Sequence, residues 1–453
     1  MQSGRGLWYF VFRDIIRSLR EDLFRMLKLA VIADDLTGAA DTGIQFRATY
    51  APVYLVDHRW VATDSFAAPA QALSIFTASR GLPPAEAHQV LSAVCRVLGR
   101  LAPQRVYKKI DSALRGNIGA ELEALMNELK IDLSFIAPAY VEQGRTTVGG
   151  VHCIHGTPVA KTEMRRDPVA PVCESRLPDW IGLQATFPVA HIGLEIWNNG
   201  PDAVAEQIER AVAQGVRHLT FDAAATDHLD RIARLALERY PQALLSGSAG
   251  LARSLAQALG AGLPGASPAR RPTGALPSGH FLFVCGSVSE RLRLQVDELA
   301  GQANVSVETL DPACLMPGSS PAWRANAIQR AAARLAAGDL VMNMAPPALD
   351  RSPFDPVGLI AGFAGVVGSV VETVRPAGLF LSGGDTAQAV LERLKARSIR
   401  LECEVLSGQV LGSIVGGRMN GLAVVTKAGA FGPPDALLKL HAALGADTGI
   451  EFP

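Results

Sequence analysis

Two adjacent carboxylates, Asp34 and Asp35, follow the apolar run Leu29 to Ala33 and precede a helical pattern opened by Thr37 and Gly38. Side-by-side carboxylates repel each other. A cation, a hydrogen-bonding ligand or a paired Arg or Lys must offset that repulsion. An N-cap at Asp35, with Asp34 favoured by the helix dipole, is the purely structural alternative. Further along, Lys108-Lys-Ile-Asp-Ser-Ala-Leu-Arg115 gathers two lysines, an aspartate, a serine and an arginine around one strand end. Phe76-Thr-Ala-Ser-Arg80 closes another apolar run on an arginine. Arg pairs bidentately with a carboxylate, and Lys presents a point charge. With the aspartates, these groups suit a small, hydroxylated, anionic ligand. Lys108 and Arg115 taken alone read equally well as solvated edge charges. Lys109 and Asp111 adjoin the buried end of the strand and are harder to explain that way.

The second half offers glycine turns in place of charge. Ser382-Gly-Gly-Asp-Thr386 follows an apolar strand and opens a helix. Such a turn points backbone N–H groups and a helix dipole at one spot, which suits a phosphate. Thr386 adds a hydroxyl, and Asp385 is placed to cap the helix or hold a metal ion. Cys285-Gly-Ser287 and Lys427-Ala-Gly-Ala-Phe-Gly432 are two more turns of this type. Were the three to converge, they would make a nucleotide site without a Walker lysine; taken singly, each is an ordinary tight βα turn. Ser246-Gly-Ser-Ala-Gly250 falls short of a nucleophile elbow, because serine stands where the first glycine is required. His152 and His155, with Cys153 between, are a weak candidate zinc pair.

These groups need a scaffold, and its pattern recurs along the chain. Val106 to Ile110, Phe135 and Ile136, Leu219 to Asp222, and Leu244 and Leu245 read as strands, each followed by a turn and then helical spacing. The pattern returns at His280 to Val284, Gly378 to Leu381 and Leu422 to Val425. Between them, residues 260–279 are dense in Gly and Pro and carry no apolar period, the mark of a linker. The expectation is α/β: two domains with largely parallel sheets flanked by helices, spanning 28–259 and 280–453, with the active site in the cleft between them.

Composition narrows the partners. The 453 residues carry no net charge and are 49% hydrophobic, which points away from nucleic acid and from disorder. Six scattered cysteines without paired spacing read as reduced, mostly buried thiols of a cytoplasmic protein. No uninterrupted apolar run approaches membrane-spanning length, so no membrane partner is expected. Residues 1–27 precede the first strand, and the first 26 form a basic amphipathic stretch. A start assigned upstream of Met26 explains it more simply than a targeting segment.

Five segments in order resemble the four-carbon acid sugar kinase family, which includes D-threonate and D-erythronate kinases. They are Ile32-Ala-Asp-Asp-Leu-Thr-Gly-Ala-Ala-Asp41, Lys109-Ile-Asp-Ser-Ala-Leu-Arg-Gly-Asn117, Cys285-Gly-Ser287, Ser382-Gly-Gly-Asp-Thr386 and Lys427-Ala-Gly-Ala-Phe-Gly432. The resemblance spans residues 28–445. It implies an N-terminal domain that binds the sugar acid, a C-terminal domain that binds ATP with Mg²⁺, and transfer of the γ-phosphate to the 4-hydroxyl of a tetronate. Position by position it places Asp35, Arg80, Lys109, Ile110, Asp111 and Ser112 on the acid side; the mechanism expected from these residues has Asp35 or Asp111 accept the hydroxyl proton as general base. It places Ser287, Gly383, Gly384, Asp385, Thr386 and Gly429 on the ATP side. Ala428 and Ala430 stand where relatives more often carry Ser and Gly, which puts more weight on Gly429. The particular tetronate stays open among threonate, erythronate and an oxo derivative, and a homo-oligomer is possible. The rival readings are a nicotinamide-dependent dehydrogenase of a small hydroxy acid, against which no G-x-G-x-x-G here is followed by an acidic residue about twenty positions later, and a non-catalytic sugar-acid-binding protein.

Overall fold

A computed structural model describes residues 27–61, 70–261, 279–287, 289–346, 355–429 and 431–445. The basic segment over 1–26, and with it the question of the true start, lies outside the described residues. So does all but the rim of the 260–279 linker. Contacts divide the chain into two units, Met1–Pro268 and Ala269–Pro453.

The first unit is built on eight parallel strands: β1 (Leu29–Ala33), β2 (Val53–Asp57), β3 (Ala72–Phe76), β4 (Arg105–Lys109), β5 (Ser134–Ala137), and, after an excursion, β9 (Val189–Ile192), β10 (His218–Phe221) and β11 (Leu244–Gly247). Their order is β2-β3-β1-β4-β11-β5-β10-β9. The excursion forms a small antiparallel sheet of β6 (Arg145–Val148), β7 (Val151–Ile154) and β8 (Thr157–Pro158). The sheet's core is apolar on both faces. Phe135, for example, lies 4.9 Å from Phe221 and 5.3 Å from Tyr240, ring to ring. Burying such a ring stabilises by roughly 1.5–3 kcal/mol.

Strand order decides where ligands meet this sheet. From β1 the chain goes to β2 and β3 on one side and to β4 on the other. The crevice beyond the carboxyl ends of β1 and β4 is therefore a topological switch point. Asp34, Asp35, Lys109 and Asp111 all lie there. The helix Leu36–Gln45 leaves that point, and its small residues Ala39, Ala40 and Gly43 are buried. Ser74 Oγ, from β3, donates to the carbonyl of Ala39 at 2.6 Å.

The second unit contains β12 (Phe281–Cys285), β13 (Val305–Leu310), β14 (Asp339–Met344), β15 (Gly378–Ser382), β16 (Ser398–Leu406), β17 (Gln409–Val415) and β18 (Ala423–Lys427). The order is β13-β14-β12-β15-β18-β17-β16; the first five are parallel and the last two antiparallel. Here the switch point falls between β12 and β15. The expected two-domain α/β architecture with largely parallel sheets is what the chain adopts.

One expectation needs correction. All six cysteines are free, but only Cys95, Cys285 and Cys403 are buried and Cys173 is exposed, so "mostly buried" holds for half of them. The helix Pro356–Thr373 is long and apolar enough by composition to cross a membrane. Its Gly and Ser residues broke the run in the sequence. Phe363, Val366, Val367, Val370 and Val371 on it are buried within the unit.

Candidate active site

At the β1 and β4 ends the aspartate repulsion is answered by an arginine. Arg80 Nε donates to Asp34 Oδ2 at 2.7 Å, and its Nη2 donates to Asp34 Oδ1 at 3.0 Å and to Asp35 Oδ1 at 2.8 Å. Burial raises the Asp34 pKa, but the charge and hydrogen bonds of Arg80, with Lys108 and Lys109, outweigh it and hold the carboxyl below its usual value. Asp35 is also the helix N-cap: Oδ1 accepts from the Gly38 amide at 3.1 Å and Oδ2 from the Thr37 hydroxyl at 2.7 Å. The structural and chemical readings of Asp35 are thus compatible.

Lys109 is 5% exposed, and its ammonium makes no hydrogen bond or ion pair among the described residues. It lies over the first turn of the helix Leu36–Gln45. A Cβ built on Gly38 would come within 2.9 Å of Lys109 Nζ and 2.5 Å of Asp35 Oδ1, so only glycine permits this approach. A buried ammonium beside the positive end of a helix dipole is a place for an anion. Lys108, in contrast, is no solvated edge charge. It is fully buried, with Nζ 2.6 Å from Glu121 Oε2 and 2.9 Å from the carbonyl of Lys109. Ser79 donates to Glu121 Oε1, and Thr77 links Ser79 to the carbonyl of Ala33. One polar network therefore ties the ends of β1, β3 and β4 together.

Asp111 is turned toward Arg115, whose Nε donates to Oδ2 at 2.7 Å. Burial works against its ionisation, yet Arg115, Arg80 and Lys109 drive its pKa far below the usual carboxylate range. Arg115 also reaches Asp167 Oδ2 at 3.2 Å, so it too is paired. Ile110 is buried with its amide bonded to Gly247, and Ser112 is 3% exposed. Asp35 is the most exposed of the three aspartates, at 14% for its side chain against 4% for Asp34 and 10% for Asp111. His152 turns both ring nitrogens to protein groups, Thr147 and Ser112. Among the described residues no cluster of three metal-ligating side chains occurs.

In the second unit the three glycine turns do converge. Cys285, Ser382 and Lys427 are register partners at the ends of β12, β15 and β18. A Cβ built on Gly429 would lie 3.3 Å from the Ser287 Cβ and 3.9 Å from the Gly383 Cα. A Cβ on Gly286 would collide with Thr386. Gly383 takes φ +95°, a conformation that glycine adopts without strain, and the helix Gly384–Arg393 behind it has no side-chain cap. Its first amides remain available to an anion. Asp385 and Thr386 stand in its first turn. Lys427, which the sequence did not single out, is buried and donates to the carbonyls of Ala428, Gly429 and Phe431 at 3.0, 3.3 and 2.9 Å.

Comparison with known proteins divides the chain the same way. Residues 29–255 match the family model described as a sugar-binding N-terminal domain, and residues 282–437 match a nucleotide-binding C-terminal domain. A D-threonate kinase of Salmonella typhimurium is 32% identical over 91% of this chain and 97% of its own length. A D-erythronate kinase of Heliobacterium modesticaldum is 28% identical, covering 91% and 95%. A solved structure from Haemophilus influenzae, 22% identical, superposes with a TM-score of 0.69 over 92% of this chain and 100% of the other, which shows the shared fold. With both domain models matched in order and a relative above 30% identity along nearly its whole length, the chain belongs to the four-carbon acid sugar kinase family.

Proposed function

We propose that the protein is an ATP-dependent kinase that phosphorylates the 4-hydroxyl of a four-carbon sugar acid, D-threonate or its epimer D-erythronate. The observation that carries this reading is the meeting of Ser287, Gly383 and Gly429 beside an uncapped helix, a cradle of backbone donors suited to a polyphosphate. On the first unit, Lys109 is a nearly buried cation with no hydrogen bond or ion pair among the described residues, and it receives the acid's carboxylate. Arg80, occupied with both aspartates, aims Asp35 as well as adding positive charge to the site. Ile110 has only backbone to offer, and Ser112 a nearly buried hydroxyl.

Asp35 is the better general base. Asp111 is pinned by Arg115 and its pKa is driven far down, which makes it a weak proton acceptor. In the transfer step the substrate hydroxyl gives its proton to Asp35. Its oxygen bonds the γ-phosphorus as the bond to the ADP oxygen breaks. The amides after Gly383 and around Gly429 hold the growing negative charge. Asp385, one carboxylate in the first turn of that helix, suits Mg²⁺, which binds through one or two carboxylates plus phosphate oxygens and supplies charge neutralisation when present. Six free thiols agree with a reducing cytoplasm.

A coupled assay of ADP release with D-threonate, D-erythronate and a 3-oxo acid tests the reading. Release that requires one of these acids supports it. Release that no acid stimulates would overturn it.

A further inference from the structure

Between β5 and β9 the chain makes a detour, residues 140–187, that the main sheet does not need for closure. Three side chains of this detour end on the loop Asp111–Gly116. His152 Nε2 lies 2.9 Å from the carbonyl of Ser112, Trp180 Nε1 donates to the carbonyl of Leu114 at 2.9 Å, and Asp167 accepts from Arg115. The loop requires such support. Leu114 has φ 63° and Gly116 φ 91°, and a left-handed conformation at a leucine costs about 1 kcal/mol or more.

His152 has the firmest footing of the three. It is fully buried, and the Ser112 carbonyl can only accept, so Nε2 carries the ring proton. Nδ1 then accepts from the Thr147 hydroxyl at 2.9 Å. Burial lowers the pKa to about 4, which agrees with a neutral ring. Thr147 is itself fixed, because its backbone pairs with Ala223 in both directions at 2.9 Å. One residue beyond β6, the amides of Gly149 and Gly150 donate to the Asp222 carboxylate at 2.7 and 2.9 Å. The hairpin is therefore anchored to the end of β10, and His152 extends from it to the end of β4. Holding the Ser112 carbonyl fixes the peptide plane between Ser112 and Ala113, next to Asp111 and three residues from Lys109.

We propose that His152 is a positioning residue for acid recognition: without touching the acid, it fixes the Ser112 carbonyl and so sets the KM for the sugar acid, not that for ATP. The proposal rests on the acid-binding reading of the first unit. Three full-length variants test it. His152→Leu keeps bulk and removes both hydrogen bonds. His152→Gln returns an N–H at the reach of Nε2. Thr147→Val keeps shape and removes the hydroxyl that donates to Nδ1.

The expected result for His152→Leu is an acid KM raised about tenfold, the loss of one buried hydrogen bond, with the ATP KM within about twofold. His152→Gln should recover most of that loss, and Thr147→Val should shift the acid KM in the same direction by less. Amide exchange over residues 111–116 should quicken in His152→Leu and return toward wild type in His152→Gln. An unchanged acid KM in folded His152→Leu, or acid and ATP KM rising together, overturns the proposal. Should His152→Leu fail to fold, Thr147→Val decides by the same KM criterion. If the wild type turns over no four-carbon acid, the kinase reading falls separately. The exchange measurement then judges the positioning role alone, and unchanged exchange in His152→Leu would end it.

Discussion

In the proposed mechanism Asp35 combines two duties that a single substitution can separate. As an N-cap it needs an acceptor for the Gly38 amide, which the asparagine carbonyl supplies while the side-chain NH2 can donate to the Thr37 hydroxyl, and asparagine caps helices about as well as aspartate. As a proton acceptor it needs its charge. Asp35→Asn should therefore leave the melting temperature nearly unchanged while lowering kcat about a hundredfold or more. Retained turnover in a folded variant would pass the base role elsewhere. Lys109 gives the opposite pairing of effects. An almost fully buried ammonium without a partner among the described residues is desolvated at a net cost. Lys109→Met should accordingly raise the acid KM steeply and raise, not lower, the melting temperature. A variant both unstable and unchanged in acid affinity would mean that the ammonium is structurally satisfied.

The strand ends were only partly readable in advance. Paired aspartates after one apolar run and paired glycines after another stand out by their place at strand ends, although a helix cap or a tight turn accounts for each taken singly. Lys108 did not stand out in this way. Its partner Glu121 lies thirteen positions downstream on a helix, and an alternating strand reading cannot tell a buried charge with a partner from a solvated one. The detour carrying β6 to β8 was missed for a similar reason, since its strands are short and only partly buried. The Lys108–Glu121 pair makes a strong stability prediction. Glu121→Ala leaves a charge stranded in the core and should cost about 3–5 kcal/mol in denaturant unfolding. Pairing Lys108→Met with Glu121→Leu should restore much of that; equal losses in single and double variants would refute the account. The turn after β18 adds a pH dependence. Burial, with Arg291 adding to it and Cys285 opposing, depresses Lys427 to about 8, below its value in an unfolded chain. Above that pH the unfolded state binds more protons, so this group's contribution to stability rises with pH up to the unfolded value. Function runs the other way. A neutral amine has two N–H groups for three carbonyls, so the turn loosens, and the ATP KM should climb as pH passes about 8 while the melting temperature shows no matching fall from this group. An ATP KM flat from pH 7 to 9 would separate Lys427 from nucleotide binding.

The chain as a whole assigns its chemistry unevenly. In the proposed function, charged side chains carry the first unit's site, and backbone amides carry the second's. No net charge over 453 residues leaves substrate capture to these local fields rather than to a global one. Such a division predicts separable defects. A Cβ on Gly429 would lie within 4 Å of the Ser287 side chain and the Gly383 Cα, so Gly429→Asp places both bulk and negative charge where a polyphosphate would lie. The ATP KM should rise by about a hundredfold or more, since like-charge juxtaposition costs several kcal/mol. The acid KM should move little. The same contrast should appear without turnover. A ligand at about a hundred times its Kd stabilises the state that binds it by about 2.7 kcal/mol. MgATP should therefore lift the melting temperature of the wild type and not of Gly429→Asp, whereas D-threonate should lift both. Loss of both shifts in the variant would show that the two sites are not independent, and the assignment of acid to one unit and nucleotide to the other would have to be abandoned.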